Sequence, residues 1–141
     1  DILLTEGKTI YGIAVDDAHH FQGEFSPDRV NPGRGWGVVK TIDLSASSLM
    51  EAMEAGRFYA STGVELEDVV VTENRLEVRI SPRGDFRYTT TFIGAGGRIL
   101  GEVHGNQATF ELKGPELYVR AKVRDSGGSV AWVQPVFVTG G

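Results

Sequence analysis

Over its second half the chain alternates apolar and polar residues in short runs. The cleanest is 117–124, where Leu117, Val119, Ala121 and Val123 fall on one side of an extended backbone. Tyr118, Arg120, Lys122 and Arg124 fall on the other, and read as a basic, solvated face. Comparable runs occupy 67–72, 76–81, 87–93, 98–103, 108–112 and 130–139. Turn-forming residues separate them: Glu73-Asn74, Gly84-Asp85, 94–97, Gly105-Asn106, Gly114-Pro115 and 126–128. About seven short strands, each wet on one face, predict an antiparallel β-sandwich over 64–141.

The first 63 residues are patterned differently. Ile10, Tyr11, Ile13, Ala14 and Val15 form a nearly unbroken apolar run. That pattern predicts a strand covered on both faces, as in a parallel sheet flanked by helices. Residues 1–7 resemble the tail of a helix, with Gly7 supplying a left-handed cap. Pro27, Pro32, Gly33 and Gly35 punctuate a loop over 21–35, and 36–42 returns to strand character. Residues 45–55 form the clearest helix. Leu49, Ala52 and Met53 share one face, Ser45 is the preferred N-cap over Ser48, and Gly56 is the stop. The chain divides at 1–63 and 64–141, giving a mainly β (α+β) protein with a strand-loop-strand-helix segment ahead of the sandwich.

Composition narrows the function classes. Fourteen Lys and Arg against nineteen Asp and Glu leave a net charge of −5, which argues against nucleic-acid binding. The absence of Cys excludes disulfides, thiolate metal sites and cysteine nucleophiles. No run approaches the ~18 apolar residues of a membrane span, and no basic-then-apolar signal opens the chain. A soluble protein is expected, in an unspecified compartment.

One dense polar cluster stands out: Asp16, Asp17, His19 and His20, directly after the apolar run. Asp17 and His19, two apart, can aim a carboxylate and an imidazole at one cation. Spacing alone also fits a solvated turn, since D-x-H is a short pattern. His104 lies in a hairpin context and reads as a turn residue. Ser61-Thr62 have no triad spacing, 94–97 reads as a hairpin turn, and Trp36 and Trp132 read as core or seam residues.

The stretch 10–21, together with Pro32-Gly33-Arg34-Gly35-Trp36 and Phe58-Tyr59-Ala60-Ser61-Thr62-Gly63, resembles the end of the PHP (polymerase and histidinol phosphatase) superfamily of metal-dependent phosphoesterases. The branch it is most similar to is CehA/McbA-like, with a β-rich tail matched here by 118–125 and 131–136. The resemblance implies that Asp17 and His19 are the family's last D-x-H metal ligands. It implies that Asp16 and His20 orient those ligands or contact substrate, and Arg34 could reach a phosphate. The family also uses an early H-x-H pair and further His, Glu and Asp ligands, for which this chain has no counterparts. The expectation is therefore a C-terminal portion of a hydrolase, in which 1–63 is the remnant of a PHP-type α/β barrel whose other strands precede Asp1 and 64–141 is a β-sandwich domain. Divalent Mn, Zn or Fe would serve the parent enzyme, none would bind tightly here, and no residue of this chain is assigned as a nucleophile.

Two other readings remain open: a non-catalytic β-sandwich binding or interaction module, and a homodimer through the apolar run at 10–15. That run is expected to pair within the sandwich, to pair across a dimer, or to be disordered.

Overall fold

The computed structural model describes residues 1–138. In chain order the elements are α1 (Ile2–Thr5), β1 (Trp36–Val39), α2 (Ala46–Glu54), β2 (Phe58–Ser61), β3 (Leu66–Val71), β4 (Arg75–Ile80), β5 (Tyr88–Ile93), β6 (Ile99–His104), β7 (Gln107–Glu111), β8 (Tyr118–Asp125), β9 (Val130–Val133) and β10 (Val136–Phe137). The chain is mainly β, and all pairings are antiparallel. One sheet has the order β1-β2-β9-β8-β5-β6, with β10 on β8; the other is β3-β4-β7. No helix among the described residues is long and apolar enough to cross a membrane.

The two sheets pack face to face because their alternation is in phase. From the smaller sheet Leu76, Val78, Ile80 and Ala108 enter the core; from the larger come Tyr59, Tyr88, Phe92, Val119, Ala121, Val123, Ala131 and Val133. Burying a side chain such as Leu76, which has no exposed surface, contributes about 1.5–3 kcal/mol. Phe92 and Phe110 meet across the sandwich with ring centroids 5.2 Å apart. The strands over 64–138 fall where alternation and turn chemistry predict them, with one subdivision. The run at 130–139 breaks at Gln134-Pro135 into β9 and β10, and Thr139 lies outside the described residues. Across that break the pairing with β8 slips by one residue, from Lys122↔Trp132 to Val119↔Val136.

The larger sheet continues through residues before Gly63. β2 pairs with β9 through Tyr59↔Val133, and β1 pairs with β2. Helix α2 begins at the expected cap, the Ser45 hydroxyl accepting the Ser48 N–H at 3.2 Å. Its seat is narrow, with Ala52 fully buried but Met50 and Met53 exposed.

Two expectations need correction. Residues 10–15 form no strand, and Ile10, Ile13 and Val15 are exposed. Hydrophobicity alone does not supply the neighbouring strand that a ladder requires, and no described strand pairs with these residues. The outer face of β8 is also not uniformly wet. Tyr118 is fully buried, and its hydroxyl donates to Asp1 Oδ1 at 2.9 Å. The Arg120 guanidinium grips the same carboxylate through both oxygens at 2.8 and 2.7 Å. Asp1 and α1 thus cover the start of that stripe and leave only Lys122 and Arg124 toward solvent.

Candidate functional site

Three contacts carry the sheet's geometry to the polar cluster. The Tyr11 ring meets Phe58 edge-on at 6.0 Å and lies over Gly56, where a Cβ would come within 2.7 Å of it. Gly56 ends α2 at φ 70°, so the residue that stops the helix also makes room for the ring. Gly12 is bonded through both its N–H and its C=O to the Gln134 side chain, at 2.9 and 2.8 Å. Finally, the chain crosses itself where Val15 passes Gly35; a Cβ there would sit 3.0 Å from the Val15 carbonyl oxygen.

The Asp16 carboxylate clasps this crossing. It accepts the Gly33 N–H at 2.6 Å and the Ala18 N–H at 3.3 Å. The Gly33 hydrogen bond is the main reason its carboxyl titrates below the ordinary carboxylate range. The loop it closes is pinned internally. The Val30 carbonyl accepts the N–H groups of both His19 and His20 at 3.0 Å, and the His20 Nδ1 accepts the Val30 N–H at 3.2 Å. Asn31, only 7% exposed, donates to the His20 carbonyl and accepts the Ser26 N–H. Its position beside Pro32 within a loop carried no periodic signal, so sequence reasoning missed it.

Asp17 and His19 project from this frame. Asp17 takes a left-handed backbone conformation (φ 50°), which Asp tolerates better than most residues. Its Oδ1 lies 3.6 Å from His19 Nε2, and both side chains are largely exposed. Two ligand atoms of a tetrahedral cation, each about 2.05 Å from it, stand about 3.3 Å apart. The pair therefore fits two corners of a coordination shell. Among the described residues no group of three His, Cys, Asp or Glu could hold a metal ion. The Asp16 carboxylate is engaged with backbone N–H groups, and the His20 Nδ1 with the Val30 N–H. Arg34 is exposed and sits next to Gly33, at the Asp16 clasp.

His104, Ser61 and Thr62 have structural partners. His104 closes the end of β6, its Nδ1 3.0 Å from the Thr89 hydroxyl. The Ser61 hydroxyl donates to the Val64 carbonyl, and the Thr62 hydroxyl accepts the Val130 N–H. A groove of about 650 Å³ lies between β1–β2 and β3. There β3 is already capped, by the Tyr59 hydroxyl accepting the Leu66 N–H and by Lys40 reaching Asp68 and the Val69 carbonyl.

Comparison with family models, with curated proteins and with solved structures found no match to this chain.

Proposed function

We propose that this chain is the C-terminal portion of a PHP-type metal-dependent phosphoesterase, carrying the last D-x-H ligand pair and a β-sandwich appendix. The observation that carries the reading is the approach of Asp17 Oδ1 and His19 Nε2 to 3.6 Å on a pinned loop, at a separation suited to a shared cation. A second observation supports the missing barrel as partner. Of the sixteen exposed large apolar side chains among the described residues, twelve lie in residues 1–63, among them Ile13, Val15, Phe21, Phe25, Ile42 and Leu44. On this reading the upstream part of the barrel would cover some of these side chains.

In the complete enzyme Asp17 and His19 would hold part of a divalent Mn, Zn or Fe centre, whose ions lower the pKa of a bound water and neutralise charge on phosphoryl oxygens. Asp16 holds the loop that presents the pair, and His20 fastens it to Val30. Arg34 stands where a guanidinium could receive a phosphate oxygen.

The test uses the chain and the polypeptide extended upstream as its gene encodes it. With Mn²⁺, the isolated chain should show selective paramagnetic broadening of the His19 ring, lost in Asp17→Ala, and no hydrolysis of an aryl phosphate. The extended protein should hydrolyse it and lose turnover in Asp17→Ala. Turnover by the isolated chain that vanishes in Asp17→Ala overturns the incomplete-site reading. An unbroadened His19 ring in both proteins overturns the ligand assignment.

A further inference from the structure

We infer that Gln134 is a positioning residue, whose side-chain amide sets the D-x-H segment on the β-sandwich; the inference rests on the ligand reading of Asp17 and His19 above. The apolar run at 10–15 is strand-like in composition but has no strand beside it among the described residues. There, one side chain supplies the rung of hydrogen bonds it has. Gln134 Oε1 accepts the Gly12 N–H at 2.9 Å, and Gln134 Nε2 donates to the Gly12 C=O at 2.8 Å. The planar amide thus reproduces the donor–acceptor pair that a neighbouring peptide group would present in a ladder. Only one orientation of the amide satisfies both bonds.

The sandwich aims that amide. Gln134 stands at the one-residue slip between β9 and β10, where a bulge redirects a side chain out of the strand's regular alternation. Pro135 follows and has no N–H to compete for partners. Gln134 is 5% exposed, so its amide is held in one place rather than sampling solvent. Gly12 lies five residues before Asp17, and the Val15–Gly35 crossing and the Asp16–Gly33 bond lie in between. The Gly12 tie is thus one of the three contacts that fix the direction in which the pair leaves the sheet, and the one made by a side chain from between β9 and β10. A role for the β-rich region follows: its last hairpin reaches back over 122 residues to orient the metal-ligand segment.

The chain contains no Cys, so a single Ala18→Cys substitution places a nitroxide between the two ligands without interference. Relaxation enhancements on β1 and β2 amides then report where the segment sits, with no metal present. In the Gln134→Leu background the enhancements should spread and weaken, and the Gly12 amide should exchange about tenfold faster, as expected for loss of one local tie. Amides of β4 and β8 should keep their protection, which shows that the sandwich is intact. In the Gln134→Glu background one carboxylate oxygen can still accept the Gly12 N–H, but the other faces the Gly12 carbonyl without a proton, so half of the tie is lost and replaced by repulsion. Acidification restores the donor, and the enhancement pattern should return toward that of the parent chain. Unchanged Gly12 exchange in Gln134→Leu overturns the inference, as does faster exchange with an unchanged enhancement pattern. A His19 ring untouched by Mn²⁺ would instead strike at the ligand reading, whereas the spin-label result is read without metal.

Discussion

Replacing Tyr59 with Phe removes one hydroxyl from the seam between the two sheets and leaves the ring in place. The ring belongs to the core and is 8% exposed, while the hydroxyl accepts the Leu66 N–H at 3.0 Å. β3 is the outer strand of its sheet, and Leu66 begins it. Without the phenol that N–H has no protein partner, and a buried donor left unsatisfied costs about 1–3 kcal/mol. Leu66 is only partly buried, so the lower half of that range applies, about 1–2 kcal/mol. Urea unfolding followed by the fluorescence of Trp36 and Trp132 measures it. With a slope of about 1–3 kcal/mol/M the midpoint should fall by roughly 0.3–2 M at unchanged slope. The same substitution has an alkaline signature. Burial pushes the Tyr59 phenol above its ordinary value of 10.0, the Leu66 hydrogen bond opposing and the Glu65 charge adding to the rise. The folded state therefore holds this proton after the unfolded state has released it. That contribution is complete below pH 10.0, is lost as pH rises through the folded value, and should be absent from Tyr59→Phe. An unchanged midpoint at neutral pH, together with an unchanged alkaline limb, refutes the claim that this hydroxyl closes the edge of β3.

Two further outcomes follow from the polar ties. Asp1 and Arg120 side chains are 23% and 21% exposed and meet in a two-pronged pair; a double-mutant cycle of Asp1→Ala with Arg120→Ala should give a coupling of about 1–2 kcal/mol by urea unfolding. A coupling near zero would mean that α1 docks without them. The Lys40 hydrogen bond, seconded by Arg79, holds the Asp68 carboxyl below its ordinary 3.8 despite the opposing effect of partial burial. Its contribution is present above pH 3.8 and is lost as pH falls through the lower folded value, so Asp68→Asn should flatten the acid limb of the stability profile.

The alternation of apolar and polar residues after Gly63 was enough to determine the strands, their turns and the sandwich they form. Most positions there face either a core or water, and the alternation of residue types records that choice, with exceptions such as the exposed Leu117 and the buried Glu77. The α2 cap at Ser45 and the nearness of Asp17 to His19 were legible for the same reason, since both depend on residues within three positions of one another. What the apolar run at 10–15 would lie against was not legible, because hydrophobicity records a demand for cover and not the identity of the cover. Nor could the burial of Tyr118 and Arg120 be read from their strand, since Asp1, which covers them, is 117 and 119 positions away. Only the tertiary structure decided that Gln134 would serve Gly12 and that β2 would join β9. Such pairings arise where distant segments meet, and their hydrogen bonds leave no period along the chain.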